Sequence, residues 1–116
     1  MTLRVVEISR LHDIAERSEL LPEEIRPLGV VLTFDILYDA DLFTRDSSQR
    51  GGTWGVHFDH TERRQANVKL AMYGYLEIAE RFFRNSSGRS QSMPVYIITG
   101  KGKDLLQRLK DTAGIA

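Results

Sequence analysis

The residues best suited to chemistry lie near the C-terminus, in Thr99-Gly100-Lys101-Gly102-Lys103. The apolar run Val95-Tyr96-Ile97-Ile98 before them reads as a strand. Leu105, Leu106 and Leu109 after them read as one face of a helix. A glycine-rich turn at such a junction lets the backbone approach a ligand closely, and the N–H groups that open the helix favour an anion. Lys101 and Lys103 add positive charge, so phosphate or a nucleic-acid backbone is the natural ligand. The spacing is not that of a Walker A loop. Thr99, Gly100, Lys101, Gly102 and Lys103 are the first candidate phosphate-binding residues, with Arg63 and Arg64 as further cations.

A second cluster is His57-Phe58-Asp59-His60. Two imidazoles and a carboxylate this close could serve hydrolysis, with Asp35 as a further acid if neighbouring strands pair suitably. Asp59 also stands where it can cap a helix, with Glu62 three residues on. A capping carboxylate is poorly placed to bind metal, so neither a metal nor a cofactor is expected. The balance favours a non-enzyme. If the chain is catalytic, His57, Asp59, His60 and Asp35 are the candidates and a nuclease-type phosphodiesterase is the class.

Asp35, Asp39, Asp41 and Asp46 form an acidic series. Residues 1–49 hold five Arg against ten Asp or Glu, a net of −5, and residues 50–116 hold eleven Lys or Arg against six acids, a net of +5. Such asymmetry marks either a nucleic-acid partner for the basic half or a basic protein partner for the acidic half. The alternative to nucleic-acid binding is thus a non-catalytic interaction module: an inhibitor, an immunity-like protein or an accessory subunit. Its contacts would be Asp35, Asp39, Asp41, Asp46 and Tyr73. Leu70, Tyr73 and Ile78 could also serve a homodimer.

Ile97-Ile98-Thr99-Gly100-Lys101-Gly102 followed by Leu105, Leu106 and Leu109 resembles the Smr family of small nucleic-acid-binding and nicking domains. That family shows a strand, then Thr-Gly-x-Gly or His-Gly-x-Gly, then a leucine-bearing helix. It opens the unit with Leu-Asp-x-His-Gly, where this chain has Val56-His57-Phe58-Asp59-His60. The resemblance implies binding to RNA or DNA, and a nicking activity.

The elements that must position these residues follow from periodicity. Residues 3–8 read as a strand, and Ser9 as the cap of a helix to about Ser18. Val30, Leu32, Phe34, Ile36 and Tyr38 alternate over 30–38, which reads as the clearest strand. Residues 44–52 read as a mobile loop and 53–58 as a strand that either pairs antiparallel with 30–38 or lies beside 94–98. Val68, Ala71, Met72, Tyr75, Leu76, Ala79, Phe82 and Phe83 recur at three and four, which predicts a helix from Asp59 to about Arg84 with Gly74 inside it. Residues 85–93 read as a flexible internal loop, 94–98 as a strand, and Lys103 to Thr112 as a helix stopped by Gly114. The expected fold is α+β or α/β, in the order β-α-β-β-α-β-α. It is one mixed sheet of about four strands with helices packed on it, in a single domain over 1–116.

The chain has 116 residues and no cysteine, so disulfides and thiolate chemistry are excluded. At 41% hydrophobic and 28% charged residues it matches a folded domain rather than a disordered segment. No apolar run approaches the roughly 20 residues of a membrane span, and no signal-peptide core follows Met1. A cytoplasmic protein with no membrane partner is expected.

Overall fold

The computed structural model describes residues 5–50, 56–57, 63–84 and 86–116; the side chains of 45–50, 56, 57 and 83 lie outside that description. Helix α1 spans Val5–Asp13. Two short 3-10 turns follow at Ser18–Leu20 and Glu23–Leu28. Helix α2 spans Val30–Arg50, strand β1 Val56–His57, helix α3 Arg64–Met72, strand β2 Leu76–Arg84, strand β3 Ser90–Ile98 and helix α4 Gly100–Ala113.

The largest correction concerns residues 30–38, which are helix rather than strand. Val30, Thr33, Phe34, Leu37, Ala40 and Asp41 are all buried, and their spacing is helical. The alternation of Val30, Leu32, Phe34, Ile36 and Tyr38 fits the same residues only because both faces of this segment are largely apolar. Gly29 starts the helix at φ +81°, and its carbonyl accepts from Thr33 N. The rings of Phe34 and Tyr38, one turn apart, stack at 5.7 Å. The helix continues to Arg50, so residues 44–50 of the expected loop are helical, and residues 51–52 lie outside the described residues. Likewise Val5–Asp13 is a helix, in place of residues 5–8 of the expected strand and the cap at Ser9, while residues 3 and 4 lie outside the described residues.

The helix expected over 59–84 divides in two. Helix α3 ends because Gly74 takes φ +83°, and Tyr75 N then bonds back to the Leu70 carbonyl at 2.9 Å. This is a glycine stop of the Schellman type. Beyond it the chain runs as β2, and β2 pairs antiparallel with β3 from Leu76↔Ile98 to Arg84↔Ser90. Residues 90–93 of the expected loop therefore belong to β3, and Gly88, at φ +80°, lies in the hairpin turn. The expected cap at Asp59 and Glu62 falls outside the described residues, as do residues 53–55 and 58 of the expected strand.

Among the described residues the sheet is one long antiparallel pair, in the order β1-β3-β2, with the two-residue β1 added along β3. It is not a mixed sheet of about four strands. Strand β1 lies beside β3, one of its two expected partners, since residues 30–38, the other, form a helix. Helices α2 and α4 pack on β3, and α3 packs beside β2. Phe34, Leu37, Leu70, Leu76, Tyr96, Leu105 and Leu109 meet in one core. Among the described residues no helix is long and apolar enough to cross a membrane.

The C-terminal helix matches its sequence signals closely, although it opens at Gly100 rather than Lys103. Thr99 caps it, and Gly114 closes it at φ +73° with Ile115 N bonded to the Lys110 carbonyl. Arg10 donates to the Gly114 carbonyl at 2.6 Å, which ties α1 to the end of α4.

Candidate functional site

The glycine–lysine segment is a structural junction. Thr99 Oγ1 accepts from Gly102 N at 3.1 Å and donates to the Gly74 carbonyl at 2.6 Å. Thr99 N donates to the Tyr75 carbonyl. Lys101 Nζ donates to the Tyr73 carbonyl at 2.8 Å and stands 4.5 Å from the centre of the Tyr75 ring. The Tyr75 hydroxyl donates in turn to Glu24. Burial, and then the Glu24 charge, push the Tyr75 phenol above its ordinary value. Gly102 is buried against Tyr75, and a Cβ there would collide with the Tyr75 carbonyl oxygen and lie 2.8 Å from Ile98. The segment thus welds the start of α4 to the α3–β2 turn.

The expected cations do not converge. Lys101 lines a cleft of about 250 Å³ with Pro22, Tyr75, Asp104 and Arg108. Lys103 lines a different cleft, of similar volume, with Asp41, Gln107 and Lys110. Arg63 is engaged with Asp39 across 2.7 Å, at the opposite end of α3 from Lys101. Arg64 lies on the outer face of that helix.

The acidic series does not make one exposed face either. Asp41 is buried, Asp39 is paired with Arg63, and Asp35 is half-buried on α2. Burial raises the Asp35 carboxyl above its ordinary value, and Arg63 opposes that rise. The side chain of Asp46 lies outside the described residues. Asp35 sits on a helix, so it cannot share a strand face with His57. His57 belongs to β1, while its side chain, Asp59 and His60 fall outside the described residues. Among the described residues no three His, Asp or Glu side chains gather as a metal site would require.

What sequence reasoning misses is the outer face of α3. Ala66, Asn67 and Leu70 face the core, so Val68 and Met72 point outward, opposite to the stripe expected for them. Leu70 is fully buried and cannot be a dimer contact, whereas Tyr73 remains exposed. Arg64, Gln65, Val68, Lys69, Met72 and Tyr73 line a shallow groove of about 540 Å³. Met72 is 73% exposed there. The available signal is the pairing of Val68 and Met72 with cations one turn away; a helix drawn through Gly74 conceals it. No family model, curated protein or solved structure matches this chain.

Proposed function

We propose that the chain is a non-catalytic protein-interaction module that uses the outer face of α3. The observation that supports this reading is the α3 groove: apolar Val68, Met72 and Tyr73 bordered by two cations, Arg64 and Lys69, with no carboxylate among its lining residues. An exposed apolar patch with a charged rim is the usual form of a docking surface. The partner it suits is a protein segment whose apolar side chains are flanked by Asp or Glu. The basic partner expected for the acidic half loses support, because Asp41 is buried and Asp39 is paired.

Nucleic-acid binding is the second reading. It draws on exposed Lys103 in the first turn of α4. Against it, Lys101 and Thr99 are occupied by internal bonds, and Lys101 and Lys103 line separate clefts.

Selection of a random displayed-peptide library on the immobilised chain tests the proposal. The expected result is enrichment of apolar residues flanked by acids, lost with Met72→Asp. Enrichment that survives Met72→Asp, or none at all beside salt-sensitive binding of a labelled single-stranded RNA, would overturn it.

A further inference from the structure

The β2–β3 hairpin carries a surface that the α3 groove does not explain. The register is uninterrupted, each pairing from Leu76↔Ile98 to Arg84↔Ser90 following the last without a bulge. Leu76, Ile78, Glu80, Phe82 and Arg84 therefore share one face of β2, together with Ile98, Tyr96, Pro94, Ser92 and Ser90 of β3. At the near end this face is core: Leu76, Ile98 and Tyr96 are buried. Further out it leaves the shelter of the helices. Ile78 is 57% and Phe82 70% exposed, and residues 86–92 are all exposed. Opposite Phe82 on β3 is Ser92, too small to cover a phenyl ring.

Among the described residues the outer side of β2 pairs with no strand. A nine-residue edge with no bulge or Pro leaves its backbone groups open to another chain, and charge is the usual guard it retains. Its charges are ordered along its length. Glu77 and Glu80 come first, and Arg81 and Arg84 follow. A second β2 laid antiparallel sets acids against bases, whereas a parallel one sets like against like. The strand is complementary to itself in one direction only.

We propose that two copies of this chain associate through antiparallel pairing of β2 with β2, centred on Phe82. In that register each Phe82 faces the other across a two-fold axis, and Glu80 of either copy faces Arg84 of the other, giving two such pairs. All three side chains are exposed or partly so, and among the described residues neither Glu80 nor Arg84 makes an ion pair. The axis stands perpendicular to the sheet, so the two sheets join into one with both helical layers on the same side. The interface is isologous, as a two-fold dimer requires. It is separate from the α3 groove.

Charge reversal with exchange tests the pairing. Glu80→Arg alone sets a guanidinium against Arg84 at both pairs, and Arg84→Glu alone sets acid against acid at both. Each homodimer is expected to weaken roughly tenfold or more. An equimolar mixture of the two variants restores attraction, because each cross-strand pair then joins like-charged positions of one variant to opposite charges of the other. The mixture should therefore associate as heterodimer at concentrations where each variant alone is largely monomeric. Residues 80 and 84 lie about 13 Å apart on one strand, so no bond within a chain can mimic this rescue. Sedimentation equilibrium of the full chain reads the outcome. The chain has no native cysteine, so Phe82→Cys supplies a second test. Mild oxidation should give a disulfide-linked dimer, and Glu77→Cys should not. A wild-type monomer at high micromolar concentration would overturn the proposal. So would a mixture of variants that stays monomeric, or equal cross-linking at positions 77 and 82. Met72→Asp should leave the dimer intact, which separates this interface from the α3 surface.

Discussion

Lys101 Nζ donates to the carbonyl oxygen of Tyr73 at 2.8 Å, so the first turn of α4 covers the C-terminal end of α3. The same ammonium lies over the Tyr75 ring. A lysine that looks like a phosphate ligand in sequence is in fact a capping cation for a neighbouring helix. Lys101→Ala should therefore lower stability by about 1–2 kcal/mol, through loss of a charged hydrogen bond and a cation–π contact. Lys103→Ala should stay within about 0.5 kcal/mol of wild type. Urea unfolding of both variants checks the contrast, and equal effects would contradict it.

Gly102 should be the least replaceable residue of the junction. A methyl group there meets the Tyr75 carbonyl oxygen and Ile98, both held by the sheet and the turn. Gly102→Ala is expected to cost about 2–3 kcal/mol through overpacking. Gly100→Ala, with open space around its Cβ position, should be tolerated or mildly stabilising. Thermal unfolding of the two variants decides.

The same junction shows how much of the fold is legible in the sequence. Thr99, the leucines at 105, 106 and 109, and Gly114 carry local signals, and α4 follows from them. Strand 94–98 is legible for the same reason, although β3 reaches back to Ser90. Gly74 misleads because a helical stripe can be drawn through it; only its left-handed backbone separates α3 from β2. The segment 30–38 misleads because an apolar run satisfies periods of two and 3.6 alike, and packing against α4 and β3 favours the helix. The occupation of Lys101 is beyond local reading, since its partner lies 28 residues away.

Asn67 is fully buried on α3, and neither its amide nitrogen nor its oxygen has a hydrogen-bond partner among the described residues; the same holds for the Thr33 hydroxyl. Unsatisfied buried polar groups are costly, so Thr33→Val and Asn67→Leu should each raise stability by about 1 kcal/mol, measured by urea unfolding. A loss on either substitution would mean that the polar group is satisfied.

Asp35 should make stability depend on pH in an unusual direction. Its folded carboxyl titrates above the ordinary 3.8, chiefly through burial. In the window above 3.8 the folded state then holds more protons than the unfolded state, so this group's contribution to stability falls as pH rises. Asp35→Asn removes that contribution. The variant should be more stable than wild type at neutral pH, with the difference shrinking as pH falls toward 3.8. A difference that grows on acidification would contradict the assignment.

If α3 presents the binding face, amide chemical-shift mapping of the isotope-labelled chain is the most direct test. The chain is titrated with the best acidic-apolar peptide from the library and, separately, with single-stranded RNA. Saturable shifts confined to residues 64–73 are expected with the peptide, and none with RNA at physiological salt. Shifts centred on Thr99–Lys103 with RNA, beside an unperturbed α3, would contradict it.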